Sequence, residues 1–147
     1  MKVKDLLDRK GYEIYSIAPD ESVLAAIKKM ADHNIGALLV MDGDALVGIV
    51  SERDYRNKII LKGRTSKETA VSTIMVDQVV CVKPSDNINL CMQLMTNKKI
   101  RHLPVLEGGK VAGVISIGDV VKTVIASQKN EIESLRSYIS TGGGYPG

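Results

Sequence analysis

Three observations predict an α+β fold made of two pseudo-twofold-related β-α-β-β-α repeats, with a long helix at the C-terminal end. First, sliding the 147-residue sequence by 65 positions lays residues 19–54 on residues 84–119 without a gap. Pro19 meets Pro84, Met30 meets Met95, Ile35 meets Ile100, Leu38 meets Leu103 and Val40 meets Val105. Second, the match includes punctuation: Gly43 with Gly108, Gly48 with Gly113, Ser51 with Ser116 and Asp54 with Asp119. Chance coincidence among apolar residues would not align glycines, a proline and a Ser/Asp pair together. Third, each copy alternates short β-rich runs with one stretch of helical periodicity.

The elements follow in order. "VKDLL" at residues 3–7 is a short leading helix. "YEIYSIAP" is a strand stopped by proline. "ESVLAAIKKMADHNI" has apolar residues at 23, 24, 27, 30 and 31, a helix spacing, with Ser22 placed to cap it. "GALLVM" and "ALVGIV" flank the turn residues Asp42-Gly43-Asp44, so they form a hairpin. A helix starts at Ser51. "KGRTSKETAVSTIM" links the copies and carries a second leading helix in "VSTIM". "QVVCVKP", "DNINLCMQLMTNKKI", "HLPVL" and "KVAGVI" then repeat strand, helix and hairpin, with Asp86 or Asn87 as cap and a last helix from Ser116. Residues 119–139 keep an apolar spacing through Val120, Val121, Val124, Ile125, Ile132, Leu135 and Ile139, one extended helix. "STGGGYPG" cannot continue it and is expected to be a flexible tail. The division is therefore residues 1–65, residues 66–127, and an extension over 128–147. One repeat buries too little surface to stand alone; two packed sheet to sheet would leave clefts between them.

Composition narrows the function. Apolar residues are 44% of the chain, with no Phe or Trp, so the core is aliphatic. A net charge of +3 is too weak to imply nucleic acid, and five tyrosines with no basic stripe offer little stacking. Cys81 and Cys91 lie in apolar contexts as reduced thiols, without metal-ligand spacing. No leader or membrane span is expected, and the cytoplasm is the expected compartment. There is no phosphate-cradling GxxxxGK[ST] loop and no nucleophile–base pair, and His33 and His102 have no motif partner. No catalytic residue, catalytic cofactor or metal is expected.

What remains is "GIVSERD" and "GVISIGD". Ser-x-x-Asp at a helix start is related to a capping box, in which Ser51 caps a backbone amide and Asp54 favours the helix start. The same placement suits a ligand, because a carboxylate at a strand end can accept hydrogen bonds from both ribose hydroxyls. Within this repeat the two segments resemble the paired signature of CBS (cystathionine beta-synthase-type) domains, over residues 1 to about 127. The resemblance implies a CBS pair, or Bateman module, that binds adenine nucleotides (AMP, ADP, ATP or NAD) between the copies.

Carried over by resemblance, Asp54 and Asp119 hold ribose, with Ser51 and Ser116 beside them. Arg53 stands where the family often has a second hydroxyl, and would reach phosphate; Gly118 at the matching place has no side chain, so the two sites should differ. Arg101 and His102 match a basic pair facing phosphate, where the first copy has Gly36 and Ala37. Pro104 suggests a strand edge open to a cleft. Ser16, Ile17 and Ala18, and Cys81, Val82 and Lys83, are the implied adenine walls. Ile17 and Val82 read equally as core, and Lys83 as a surface charge or a phosphate partner. Arg56 and Lys58 are candidates for a second phosphate. The function implied is a regulatory nucleotide sensor that forms a homodimer and signals to a separate effector protein. Nucleic-acid binding, or a scaffold with vestigial clefts, are the rival classes.

Overall fold

The computed structural model describes residues 1–141, with side chains through Arg136. Most of the glycine-rich segment expected as a flexible tail, residues 142–147, lies outside the described residues.

Both copies form the expected units. In the first, β1 (Ser16–Ile17) leads to α2 (Val23–His33), which follows α1 (Val3–Lys10) as the second helix of the chain. The Ser22 hydroxyl caps α2 by accepting from the Ala25 amide, and Asn34 closes it in the left-handed region at φ 52°. Then come β2 (Ala37–Asp42), β3 (Ala45–Ser51) and α3 (Glu52–Tyr55), which runs on through a π-helical turn, Arg56–Ile60. The second copy has α4 (Val71–Ile74), α5 (Ile88–Lys98), β4 (His102–Glu107), β5 (Lys110–Ser116) and α6 (Ile117–Thr141). Asn87 caps α5. Gly43 and Gly108 take positive φ (60° and 58°), as two-residue hairpin turns require. Each hairpin carries a register shift at the same place, between Val40 and Met41 and between Val105 and Leu106. The duplication thus extends to the bulges.

Two features depart from simple repetition. The first sheet has three strands in the order β1-β2-β3, whereas β4-β5 is joined only by a single bridge, Val82 with Val105. Pro104 explains the difference. In the first copy the Leu39 amide donates to the Tyr15 carbonyl. Pro104 occupies the matching position and has no N–H to give to Val80. The expectation that Pro104 marks an open edge is corrected: it is buried, it pairs with Val114, and its carbonyl accepts from the Val82 amide.

The second departure is an exchange of leading helices. Helix α1 sits on the second copy, where the Val3 and Lys4 amides donate to Asp86 and Pro84 carbonyls. Val3, Leu6 and Leu7 are fully buried there with Val82, Ile88, Cys91, Met95, Leu103, Val105, Ile115 and Val120. Helix α4 returns the arrangement, with Val71 and Ile74 buried against Val23, Ala26, Met30, Leu38, Val40 and Val50 of the first copy. Neither core is complete without the other copy's leading segment. Gly48 and Gly113 make room for it: a Cβ at Gly48 would lie 2.6 Å from Met75 Sδ, and one at Gly113 would lie 2.9 Å from Leu7 Cδ2.

Candidate functional site: two unequal clefts between the copies

Each Ser-x-x-Asp device stands where a hairpin strand turns into a helix. The Glu52 amide donates to the Gly36 carbonyl, and the Ile117 amide to the Arg101 carbonyl, so each helix start is pinned beside the entry to its own hairpin. Two clefts result. Cleft one has a volume of about 500 Å³ and is lined by Ser51, Glu52, Arg53, Asp54 and Arg56, by Gln78–Val80, and by Arg101 and His102. Cleft two, about 330 Å³, is lined by Ser116 and Asp119, by Lys10, Gly11, Glu13 and Tyr15, and by Asn34–Leu39. Both lie in the size range of small-molecule sites. Gly36, Ala37, Ile49 and His102 are common to the two, so the clefts lie back to back.

In cleft one Asp54 is 7% exposed and is heavily engaged. Its Oδ2 accepts from the Ser51 amide at 2.9 Å and the Ser51 hydroxyl at 3.0 Å, and its Oδ1 pairs with Lys58 Nζ at 3.0 Å. The capping box is therefore real. A carboxylate has about four lone-pair sites, and these contacts use three. Capping and ligand binding are compatible on that count once Lys58 yields its place, and its Nζ has the Ile74 carbonyl, at 2.8 Å, as a second partner. Arg53 Nη1 donates to the Lys99 carbonyl at 2.6 Å, which ties the α3 start to the end of α5.

Cleft two differs by one residue from α1. In cleft one the chain after α4 bridges to the sheet edge, with Val76 and Ile49 exchanging both backbone bonds at 2.9 Å. After α1 the chain instead turns at Gly11 (φ 107°), and Lys10 takes over that edge. Its Nζ donates to the Val114 carbonyl at 2.7 Å and to Asp119 Oδ2 at 2.8 Å. The Ser116 amide donates to the same oxygen. Burial pushes the Asp119 carboxyl up, but Lys10 and Ser116 outweigh it, so the group stays ionised below the usual carboxylate range. Burial lowers the pKa of His102, which leaves its imidazole neutral near pH 7. Burial also raises both thiols, Cys91 to about 11 and Cys81 upward, so neither is a reactive thiolate.

The charge balance of the two walls is opposite. Arg53, Arg56 and Arg101 face Glu52 and Asp54 in cleft one, whereas Lys10 alone faces Glu13 and Asp119 in cleft two. Of the residues expected at a site, Ser51, Arg53, Asp54, Arg101, His102, Ser116 and Asp119 line the clefts, as does Arg56. Lys58 does not line them but pairs with Asp54. The expected adenine walls are corrected. Ile17 and Val82 are buried in the two cores and line neither cleft. Ser16, Ile17 and Ala18 border a separate, shallow depression with Lys29 and Gly43. Lys83 and Pro104 line neither cleft, and the Lys83 amide donates to Asp86 instead. The apolar lining comes from the segments just before those expected, Val79 and Val80 in cleft one and Tyr15 in cleft two. The same 65-residue offset relates Tyr15 to Val80. Lys10 carried no signal, because nothing in one chain announces that α1 crosses to the other copy.

Among the described residues no helix is long and apolar enough to cross a membrane, and no cluster of His, Cys, Asp or Glu could hold a metal ion. A duplicated α+β unit with paired, acid-floored clefts defines a class of tandem-repeat modules. The CBS domain family model matches residues 3–61 and 71–126, and the chain belongs to that family. It is 44% identical over 131 residues to the Arabidopsis thaliana "CBS domain-containing protein CBSX3, mitochondrial", covering 86% of this chain and 63% of that one. This chain therefore spans less than two thirds of that relative. A solved structure of a protein with CBS domains from Burkholderia ambifaria is 51% identical, with TM-score 0.85, covering 87% of this chain and 96% of the other. A CBS domain protein from Pyrobaculum aerophilum, solved in complex with AMP, shares the fold at TM-score 0.73 and 20% identity, covering 81% and 89% of the two chains.

Proposed function

We propose that this protein is a non-catalytic regulatory module that binds an adenine nucleotide between its two CBS repeats and signals by a change in their arrangement. The observation that carries the reading is in cleft one. A buried carboxylate, Asp54, shares a volume of about 500 Å³ with Arg53, Arg56 and Arg101. That set suits a ribose at the floor and a phosphate chain at the rim, since guanidinium groups bind phosphate in a fork. The opposite charge balance of cleft two makes it the weaker site for a polyphosphate. AMP in the Pyrobaculum relative supports the ligand class.

Binding acts through populations. A nucleotide that contacts Ser51–Arg56 on one copy and Gln78–His102 on the other stabilises whichever arrangement offers both, by the difference in affinity between arrangements. The exchanged helices transmit this, since each copy's core contains a segment from the other. The readout would be a separate effector protein, and the free thiols Cys81 and Cys91 suit a reducing compartment such as the cytoplasm.

Calorimetric titration with AMP, ADP, ATP and NAD tests the reading, with thermal unfolding alongside. A ligand held at 100 times its dissociation constant adds about 2.7 kcal/mol of stability. Heat and stabilisation from at least one adenylate are expected. Silence from all four would leave a scaffold with vestigial clefts as the better account. Micromolar binding of single-stranded nucleic acid at physiological salt, without adenylate binding, would favour the nucleic-acid rival.

A further inference from the structure

The chain has 20 lysines and arginines against 17 acids, yet among the described residues only two ion pairs form. Each falls on the acid floor of a cleft. Lys58 pairs with Asp54 at 3.0 Å, and Lys10 pairs with Asp119 at 2.8 Å. The duplication does not account for this. Residue 58 is matched in the second copy by Thr123, which is buried. The two copies therefore reach the same arrangement with unrelated lysines.

Each lysine also ties its acid to the leading helix that covers the same copy. Lys10 belongs to the last turn of α1, which packs on the second copy. Lys58 stands in the π-helical turn after α3, and its Nζ donates to the Ile74 carbonyl at 2.8 Å. Ile74 is the last residue of α4, which packs on the first copy. A helix leaves its last carbonyls without internal partners, and an ammonium satisfies them. One ammonium thus joins the Asp54 carboxylate to the end of α4. A ribose brings two hydroxyls, whereas Asp54 has one of about four lone-pair sites unused. The Ser51 amide and hydroxyl hold the start of α3, so Lys58 is the contact that gives way. In cleft two both Lys10 and the Ser116 amide bond Oδ2 of Asp119. The other oxygen can take a hydroxyl there with Lys10 still in place.

We propose that nucleotide binding in cleft one breaks the Asp54–Lys58 tie and so loosens α4, while α1 stays held through Lys10. The inference rests on the nucleotide reading above and gives the route by which occupancy leaves the cleft. That route is the segment following α4, which carries Gln78–Val80 on the cleft wall. The pair is partly exposed, so breaking it changes the opening of α4 by up to about fivefold. The helix does not detach, because Val71 and Ile74 remain buried.

Amide hydrogen exchange of the full chain tests this, with calorimetry on the same samples. The Met75 amide, which donates to the Val71 carbonyl, reports on α4, and the Gly11 amide, which donates to the Leu7 carbonyl, reports on α1. Saturating AMP should speed exchange at Met75 by up to about fivefold and leave Gly11 unchanged. Lys58→Met should speed it equally without nucleotide and abolish the further response to AMP, and Lys58→Arg should restore the unmodified pattern. Coupling is reciprocal, so Lys58→Met should also bind adenosine, which has the ribose and no charge, up to about fivefold more tightly. A purely structural role for Lys58 would not tighten binding. Heat from AMP with Met75 exchange unchanged or slowed overturns the inference and leaves the nucleotide reading standing. Equal acceleration at Gly11 does the same, since it would mean general loosening. Absence of heat from every adenylate overturns the nucleotide reading itself, and the inference with it.

Discussion

Replacing Gly113 by alanine would put a methyl group 2.9 Å from Cδ2 and 3.2 Å from Cδ1 of Leu7. Leu7 has nowhere to go: it is fully buried on α1, in the core of the second copy. Overpacking of this kind costs about 1–3 kcal/mol. The alanine also restricts the unfolded chain, which returns about 0.4–1 kcal/mol. The net loss should be roughly 1–2 kcal/mol, or about 2–8 °C in Tm for a chain of this size. The informative comparison is with Leu7→Ala. Alone it leaves a cavity and should cost about 2–5 kcal/mol. Combined with Gly113→Ala it removes the clash, and the new methyl partly fills the hole. Urea unfolding of the four proteins should then show a favourable coupling of about 1–2 kcal/mol. Additivity within ~0.5 kcal/mol would mean that α1 does not lie on Gly113, and the exchange of leading helices would be wrong. Cleft two would fall with it, since α1 ends in Lys10.

Other tests address the clefts. Asp54→Ala should cost about 1 kcal/mol of stability through the lost cap, seen in urea unfolding, and weaken adenylate binding by roughly 1.5–3 kcal/mol in calorimetry; a loss of stability with unchanged binding would assign Asp54 to capping alone. Lys10→Met should cost up to ~1 kcal/mol at pH 7, because the Lys10–Asp119 pair is partly exposed. Asp119 has its pKa lowered in the folded state, so its contribution is present above the unfolded value of about 3.9 and is lost as pH falls below it. Unfolding curves of Lys10→Met and the unmodified protein should converge toward pH 3. His102 also has a lowered pKa, so stability should decline as pH falls below about 6.5, and His102→Gln should flatten that decline.

The repeat was legible because its punctuation is chemical. Gly43 and Gly108 answer to hairpin turns, Ser22 and Asn87 to helix caps, and Ser51 and Ser116 to the starts of α3 and α6. These are local constraints, so sequence reveals them. The acidic floor of each cleft was legible for the same reason. The apolar lining of the clefts was not. Ile17 and Val82 are apolar residues in short strands, and which face they take depends on a register set by β2 and β4, a non-local matter. Pro104 misled in a similar way, because a proline in a strand usually signals an edge, whereas here its missing N–H only shortens the neighbouring pairing. Gly48 and Gly113 were visible as a matched pair, but their purpose appears only once Met75 and Leu7 are seen above them.

The most direct test of nucleotide binding in cleft one is a crystal structure of the protein grown with millimolar AMP and ATP. The ribose hydroxyls should be within hydrogen-bond distance of Asp54, with phosphate oxygens on Arg53 or Arg101 and Lys58 turned off Oδ1. A cleft still bridged only by Ser51, Asp54 and Lys58 under those conditions, or an adenylate bound elsewhere on the chain, would contradict it.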